Sequence, residues 1–249
     1  VAELQTLVKN VNLPNYLTSV GVNTDRVIIG ELKYYQNMDS FINAKNLPLL
    51  KDYMKYQMLR SNLGRLDKSM DDLNFDFYSK YLQGQKEQRS MDKRGLQMVN
   101  GVLGEAFGKL YVEKYFPAAA KTQMQDYISY IRKAFAKRID GLDWMSPETK
   151  LKAQDKLSKF SVKIAYPDNW KDYSKLQMTS PKDGGNLYKN LQNVTAWSYQ
   201  RNLDKIGKPV DKTEWGMSPQ TVNAYYNSSN NEIVFPAAIL QPPFFNFKA

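Results

Sequence analysis

The sequence predicts a mainly α fold, a multi-helical lobe with a small β-hairpin near the C-terminus. Apolar residues recur every three or four positions through most of residues 31–206, which is the spacing of one helix face. Helix start signals support this pattern, because Ser146-Pro-Glu148 offers a serine N-cap and a proline in the first turn. After residue 220 the pattern changes to two short extended runs joined by an Asn/Ser-rich turn.

Two features inside the helical part refine this prediction. The apolar spacing between residues 96 and 110 predicts a strong helix that contains Gly104 and Gly108, one turn apart. Because each glycine costs roughly 1 kcal/mol of helix propensity, the pair indicates close packing against a second helix. The helix that starts at Ser146 is predicted to bury Leu151, and Ser161-Val-Lys-Ile164 is predicted to be a short strand.

The composition excludes several kinds of chemistry. The 249 residues can bury a sizeable core, as one large or two small domains. They include no cysteine and no histidine, so disulfides, thiolate catalysis and histidine-based zinc or serine chemistry are excluded for this chain. No apolar run approaches the roughly 18 residues of a transmembrane helix, so no membrane-spanning segment is predicted.

The net charge of +10 does not predict nucleic-acid binding. A nucleic-acid surface needs its basic residues gathered on one face, whereas the lysines here are spread along the chain among acidic residues. The densest basic group, residues 132–138, lies on the polar side of a predicted amphipathic helix and is interpreted as a solvated face.

The stretch from Thr221 to Phe245 is the most informative part of the sequence. Val222, Ala224 and Tyr226 alternate with polar or outward positions, and residues 227–231 have turn chemistry. The second run, residues 232–235, either ends at Pro236 or lies at a sheet edge, because proline cannot donate to a ladder. An edge can accept an extended peptide. From the residues alone, this interpretation and that of a hairpin with a core-packed loop both remain open.

Several blocks of the chain resemble the neprilysin / endothelin-converting-enzyme family of zinc metallopeptidases, including its bacterial oligopeptidases. The most specific blocks are Val222-Asn-Ala-Tyr-Tyr226, Asn231-Glu-Ile-Val-Phe-Pro-Ala237 and Ile239-Leu-Gln-Pro-Pro-Phe-Phe245. Upstream blocks occur in the family's order: Gly108-Lys-Leu-Tyr-Val-Glu-Lys-Tyr-Phe116, Ile131-Arg-Lys-Ala-Phe135, Leu142-Asp-Trp-Met145, Glu148-Thr-Lys150, Ile164-Ala-Tyr-Pro-Asp168 and Trp215-Gly-Met217. The resemblance covers most of the chain and is strongest after about residue 95.

The resemblance implies substrate-binding roles for five residues. In the family, the residues matching Asn223 and Ala224 hydrogen-bond the backbone of a bound peptide as an antiparallel strand. Those matching Ile239 and Phe244 line the pocket for the apolar side chain just after the scissile bond, and Phe245 is expected on the other side of that bond. Where the family usually has a glycine before Ile-Leu-Gln, this chain has alanine, at position 238.

The resemblance also implies that the catalytic zinc lies outside this chain. The family's His-Glu-x-x-His helix and the carboxylate that completes the zinc site cannot be placed in these residues. The chain is therefore expected to be an internal fragment: residues 1–220 a helical lobe that caps the substrate cavity, and residues 221–249 the edge of the catalytic lobe. Alone, it is expected to bind no catalytic zinc and to cleave nothing.

For the full-length protein, the resemblance implies a zinc metalloendopeptidase that cuts small peptides on the amino side of hydrophobic residues. Its expected partners are peptide substrates and the remaining catalytic part of the same protein. Its expected location is the bacterial periplasm, cell envelope or exterior. The competing interpretation is a non-catalytic helical module that binds peptides or another partner through its hairpin.

Overall fold

A computed structural model describes residues 1–248, and within them the predicted mainly α architecture is confirmed. The helices are α1 (Ala2–Leu7), α2 (Leu13–Ser19), α3 (Leu32–Gln36), α4 (Met38–Phe41), α5 (Leu47–Arg60), α6 (Lys68–Asn74), α7 (Met91–Tyr115), α8 (Ala118–Asp140), α9 (Pro147–Ser158) and α10 (Leu187–Leu203). The strands are β1 (Ser161–Ala165), β2 (Tyr225–Asn227) and β3 (Glu232–Pro236). A π-helical segment, Phe75–Tyr81, continues α6.

The chain forms two compact units. The first consists of Val1–Gln88 and Lys175–Pro209, and the second of Arg89–Ser174 together with the residues from Val210 onward. The prediction that residues 1–220 form a capping lobe and that residues 221–249 belong to a catalytic lobe concerns a different division, and it stays a prediction.

The first unit has a small core and a large exposed apolar surface. The buried apolar residues of its core are Leu4, Val8, Leu13 and Met38. Helix α5 begins as predicted, with a proline in its first turn, yet the apolar residues of its predicted stripe are exposed, among them Leu49 at 70% and Leu59 at 57%. The periodicity thus predicts which residues share a helix face, but it does not predict that the face is covered.

The second unit has the larger core, formed by α7, α8 and the sheet. Its buried apolar residues are Val112, Phe116, Ala120, Met124, Ile128, Ile164, Ala165, Ala237 and Leu240. Helix α9 starts as predicted, with the Ser146 side chain accepting a hydrogen bond from the Thr149 amide. The prediction that α9 buries Leu151 is wrong, because that side chain is 72% exposed.

The glycines of α7 pack closely against a loop and not against the second helix that the sequence predicted. A Cβ atom added to Gly108 would lie 2.6 Å from Pro219 Cδ, and one added to Gly104 would lie 3.2 Å from Ser218 Cβ. The Gln220 side chain also donates a hydrogen bond of 3.0 Å to the Gly104 carbonyl. Helix α7 is kinked at Leu103, next to this contact, as is typical where a side chain bonds to the helix backbone.

The sheet contains the predicted hairpin and the predicted strand at residues 161–165. Strand β3 is central, pairing in parallel with β1 and antiparallel with β2. Of the two alternatives for β3, the first is correct, because the strand ends at Pro236 and does not lie at an edge. The edge strands are β1 and β2, because the strand order is β1-β3-β2. Strand β1 pairs with β3 along its whole length, from Ser161–Glu232 to Ala165–Pro236.

Candidate functional site

All five residues predicted to contact substrate lie in the second unit, on either side of β3. Asn223 and Ala224 directly precede β2, whereas Ile239, Phe244 and Phe245 follow β3. The hairpin therefore brings the two groups into one region of the fold. The individual roles of these residues stay predictions.

Asn223 and Ala224 lead into a strand that has one unpaired edge. The first extended run is shorter than predicted, since β2 begins at Tyr225, and Val222 is 62% exposed. The Asn223 side chain is exposed, and its Oδ1 accepts a hydrogen bond of 2.8 Å from the Ala224 amide. Among residues 1–248, only β3 pairs with β2, so the other edge of β2 has no strand partner.

The residues after β3 form a short helical turn followed by a second turn. Ile239 closes the 3₁₀ turn Ala237–Ile239 and packs, half-buried, against the core of the second unit. The Gln241 carbonyl accepts hydrogen bonds from the Phe244 and Phe245 amides, at 3.0 and 3.1 Å. Phe245 packs against the same core, whereas Phe244 is 68% exposed, so the two phenylalanines have different surroundings.

Alanine at position 238 does not disturb this turn. The non-glycine residues with positive φ among residues 1–248 are Ala165 and Asn231, so the backbone at Ala238 does not require glycine. The Ala238 amide donates a hydrogen bond of 2.9 Å to the Pro219 carbonyl. Alanine in place of the family's glycine at position 238 therefore causes no backbone strain.

A buried ion pair lies on one face of the sheet. Lys163 on β1 and Tyr225 on β2 both pair with Val234, so these three side chains share a face, and Glu232 lies on it two residues before Val234. Lys163 Nζ is 2.9 Å from Glu232 Oε2, with side-chain exposures of 13% and 2%. The other face carries apolar residues, such as Ile164, that pack into the core.

The segment Glu214–Gln220 is fixed against this polar face. Lys163 Nζ donates a hydrogen bond of 2.7 Å to the Glu214 carbonyl, and the Gly216 amide donates one of 2.7 Å to the Tyr225 hydroxyl. Burial raises the pKa of Tyr225, and the nearby Glu232 carboxylate raises it further, although the Gly216 hydrogen bond acts in the opposite direction. Because this segment continues directly into Thr221–Ala224, these contacts help to fix the position of the backbone that leads to Asn223.

A cavity of about 290 Å³ lies between α7 and the same segment. Glu105, 8% exposed, accepts a hydrogen bond of 2.9 Å from the Lys171 amide, and its other oxygen lies 3.3 Å from Lys171 Nζ. The carboxylate therefore holds the loop after β1 against α7. Ser218 and Thr221 line the cavity, and Thr221 lies two residues before Asn223.

Sequence reasoning missed the buried pair and the contacts of the 214–220 segment. A signal for the pair existed, since Lys163 and Glu232 are charges of opposite sign inside two short apolar strands. Such residues are rarely buried unless they are paired. The signal was ambiguous because the parallel pairing of β1 with β3 was not predicted.

The described residues lack both a metal-binding cluster and a membrane-spanning helix. Residues 1–248 contain no group of three or more metal-ligating side chains that could hold an ion. In the same residues, no helix combines the length and apolar character needed to cross a bilayer.

Comparison with known proteins assigns the chain to a peptidase family. Residues 1–167 match the N-terminal profile of peptidase family M13, and residues 223–249 match the second profile of the same family. The first match alone covers more than half of the chain. The chain therefore belongs to peptidase family M13.

Named relatives agree with this assignment. The chain is 34% identical to Neprilysin-11 of Caenorhabditis elegans over 237 residues, which are 94% of this chain and 28% of that protein. It is 33% identical to a neutral endopeptidase of Lactococcus lactis subsp. lactis over 243 residues, covering 97% of this chain and 38% of the relative. The chain thus spans between about a quarter and two fifths of these relatives.

Solved structures show the same similarity. The inhibitor complex of the zinc metalloprotease Zmp1 from Mycobacterium tuberculosis has a TM-score of 0.89 and 38% sequence identity. That match covers 98% of this chain and 37% of the other chain. PepO from Lactobacillus rhamnosis has a TM-score of 0.79 and 28% identity, with 87% of this chain and 34% of the other covered.

Proposed function

We propose that the whole protein is a zinc-dependent metalloendopeptidase that cuts small peptides on the amino side of hydrophobic residues. In this proposal, residues 1–220 cap the substrate cavity, and residues 221–249 form the edge of the catalytic lobe. The observation that carries the proposal is the position of Asn223 and Ala224 at the start of β2, whose outer edge is unpaired among the described residues. An extracytoplasmic location, in a bacterial envelope or outside the cell, belongs to the same proposal.

The first task of this chain is to hold the peptide backbone. An unpaired strand edge offers amide donors and carbonyl acceptors in the spacing that an extended peptide needs. The Asn223 side chain adds one donor group and one acceptor to that edge. Its exposure leaves the side chain accessible to a substrate, while its Oδ1 accepts a local hydrogen bond from the Ala224 amide.

The second task is to select the residue that follows the cut. Ile239 and Phe244 form an apolar wall for that side chain, and Phe245 lies on the other side of the scissile bond. Phe244 is 68% exposed and is therefore open to a ligand, whereas Ile239 and Phe245 are partly buried against the core. An apolar wall favours a large hydrophobic side chain by the area that the contact removes from water.

Zinc is assigned to residues outside this chain. The chain has no histidine, the residue on which catalytic zinc sites are normally built, and this supports the assignment. When bound, zinc supplies Lewis-acid activation of water and of the substrate carbonyl. In this proposal, the role of this chain is to bind the peptide and to orient it.

Replacing Ile239 with alanine in the intact protein tests the proposal. The ratio of kcat/KM for a peptide with phenylalanine after the cut to that for a peptide with alanine there should fall roughly 10–100-fold, because the wall loses its branched side chain. The two peptides differ at that one residue, so the ratio reports the pocket and not the amount of folded enzyme.

Val222→Ala is the matched control, since it also shortens a β-branched side chain near the site, but one that is 62% exposed and has no assigned role. Its kcat/KM ratio should equal that of the wild type. An unchanged ratio in Ile239→Ala, or an intact protein that cleaves neither peptide, would contradict the proposed function.

A further inference from the structure

A side-chain hydrogen bond connects Gln241, at the start of the turn that carries Phe244 and Phe245, to helix α7. Gln241 Nε2 donates to the Tyr111 hydroxyl at 2.8 Å, joining residues 130 positions apart in the sequence. Both side chains are partly buried, so water competes weakly for the contact. None of the roles assigned above accounts for this bond.

Gln241 also organises the turn through its backbone. Its carbonyl accepts the amide hydrogens of both Phe244 and Phe245, so the turn that carries the two phenylalanines closes on this residue. The residue before it, Leu240, is 5% exposed and belongs to the core. Gln241 therefore connects the buried Leu240 to the turn that carries the exposed Phe244.

Tyr111, which accepts the hydrogen bond from Gln241, is itself held in place by the core. Its ring packs against the core of the second unit, and the residue that follows it, Val112, is a buried member of that core. Burial raises the pKa of the Tyr111 hydroxyl, although the hydrogen bond from Gln241 acts in the opposite direction, and the hydroxyl stays protonated at neutral pH. The contact therefore keeps one protonation state near neutral pH.

Phe244 depends on this support more than its neighbours do. Ile239 and Phe245 pack against the core, whereas Phe244 is 68% exposed. Its position follows from the backbone of the turn, and that backbone is fixed on one side by Leu240 and Gln241. Loss of the Gln241–Tyr111 bond therefore loosens Phe244 first.

We propose that Tyr111 is a positioning residue that, through Gln241, fixes the exposed wall of the specificity pocket and so strengthens the preference for a large apolar residue after the cut. The proposal rests on the proposed function, because it assumes that Phe244 contacts the substrate. Tyr111 itself lies one hydrogen bond away from the turn and contacts no substrate. It acts by limiting the positions that Phe244 can adopt.

The test is Tyr111→Phe in the intact protein, which removes one hydroxyl and keeps the ring in the core. The same phenylalanine and alanine peptides are used, and kcat/KM is measured for each. The ratio should fall about 2–10-fold, which corresponds to one hydrogen bond of ordinary net strength. The decrease should occur in kcat/KM for the phenylalanine peptide, because the alanine side chain is too short to contact Phe244.

Two further variants separate positioning from a general structural effect. Gln241→Met keeps the length of the side chain and removes its amide, so it should reduce the ratio by the same factor. The double variant should be no worse than either single one, since both remove the same bond. Tyr115→Phe is the control, because Tyr115 lies one turn further along α7, is 54% exposed, and should leave the ratio unchanged.

The outcomes distinguish this inference from the function on which it rests. If Ile239→Ala lowers the ratio but Tyr111→Phe and Gln241→Met do not, the positioning role is wrong and the pocket assignment stands. Equal losses for both peptides in Tyr111→Phe would also overturn it, because they indicate a structural effect alone. If Ile239→Ala leaves the ratio unchanged, the proposed function itself fails.

Discussion

Replacing Lys163 with methionine is expected to lower the free energy of unfolding by about 3–5 kcal/mol, because the change leaves a buried carboxylate without its partner. Glu232 is 2% exposed, and its contact with Lys163 is short, at 2.9 Å. The same variant removes the donor that holds the Glu214 carbonyl, so the segment that leads to Asn223 is also released at that point. Urea unfolding, with tryptophan fluorescence as the signal, measures the effect.

The double variant Lys163→Met/Glu232→Leu should recover much of this loss, since removing both charges also removes the cost of burying them. Lys152→Met is the matched control. Its partner, Glu148, is 2.7 Å away, but both side chains are more than 75% exposed, and such pairs contribute roughly 0–1 kcal/mol. A Lys163→Met variant as stable as Lys152→Met would contradict the structural role of the buried pair.

Asn223→Ala should give the largest loss of activity among the variants of this chain. In the intact protein, kcat/KM for peptide substrates should fall roughly 5–150-fold, which corresponds to about 1–3 kcal/mol for removing a hydrogen-bonding side chain from a desolvated interface. The thermal midpoint should change little, because the Asn223 side chain is exposed and its hydrogen bond is to the adjacent amide.

Asn202→Ala is a suitable control for this variant. It makes the same chemical change at an exposed position of α10, in the first unit, and should leave kcat/KM at the wild-type value. The assignment of Asn223 to the peptide backbone fails if the two variants have the same kcat/KM.

Local patterns in the sequence were sufficient to predict the longer helices and the hairpin, but not the short helices α1 and α2. The Ser146 cap, the helix around Gly104 and Gly108, and the hairpin turn at residues 227–231 all depend on neighbours within a few positions. The exposed side chain of Leu151 shows the limit of such patterns. The spacing of apolar residues predicts which residues share a helix face, but not whether another element covers that face.

Contacts between distant segments could not be predicted in this way. The parallel pairing of β1 with β3 joins strands separated by α10 and by the long segments around it. That pairing makes β3 central and brings Lys163 to Glu232. The packing of Gly108 against Pro219 likewise depends on a loop about one hundred residues later, which carries no periodic signal.

The candidate site was predicted from family resemblance more than from physical chemistry. The residues alone left a peptide-accepting edge and an ordinary hairpin as alternatives, and they left open whether the second run ends at Pro236 or lies at the edge. Among the described residues the edge strands are β1 and β2, and β2 directly follows Asn223 and Ala224. The supporting residues Tyr111 and Gln241 were not predicted, because their contact exists only in the folded chain.

The most direct test of the central claim, that this chain holds the substrate, is hydrogen exchange of the intact protein with and without a bound peptide. A peptide whose scissile amide is replaced by a reduced amide binds without being cut, and exchange is followed by mass spectrometry of proteolytic fragments. We predict slower exchange in fragments that contain residues 222–227, because the peptide backbone bonds to the free edge of β2, with a smaller change in residues 239–245. Protection confined to other segments, with residues 222–227 unchanged, would contradict the account.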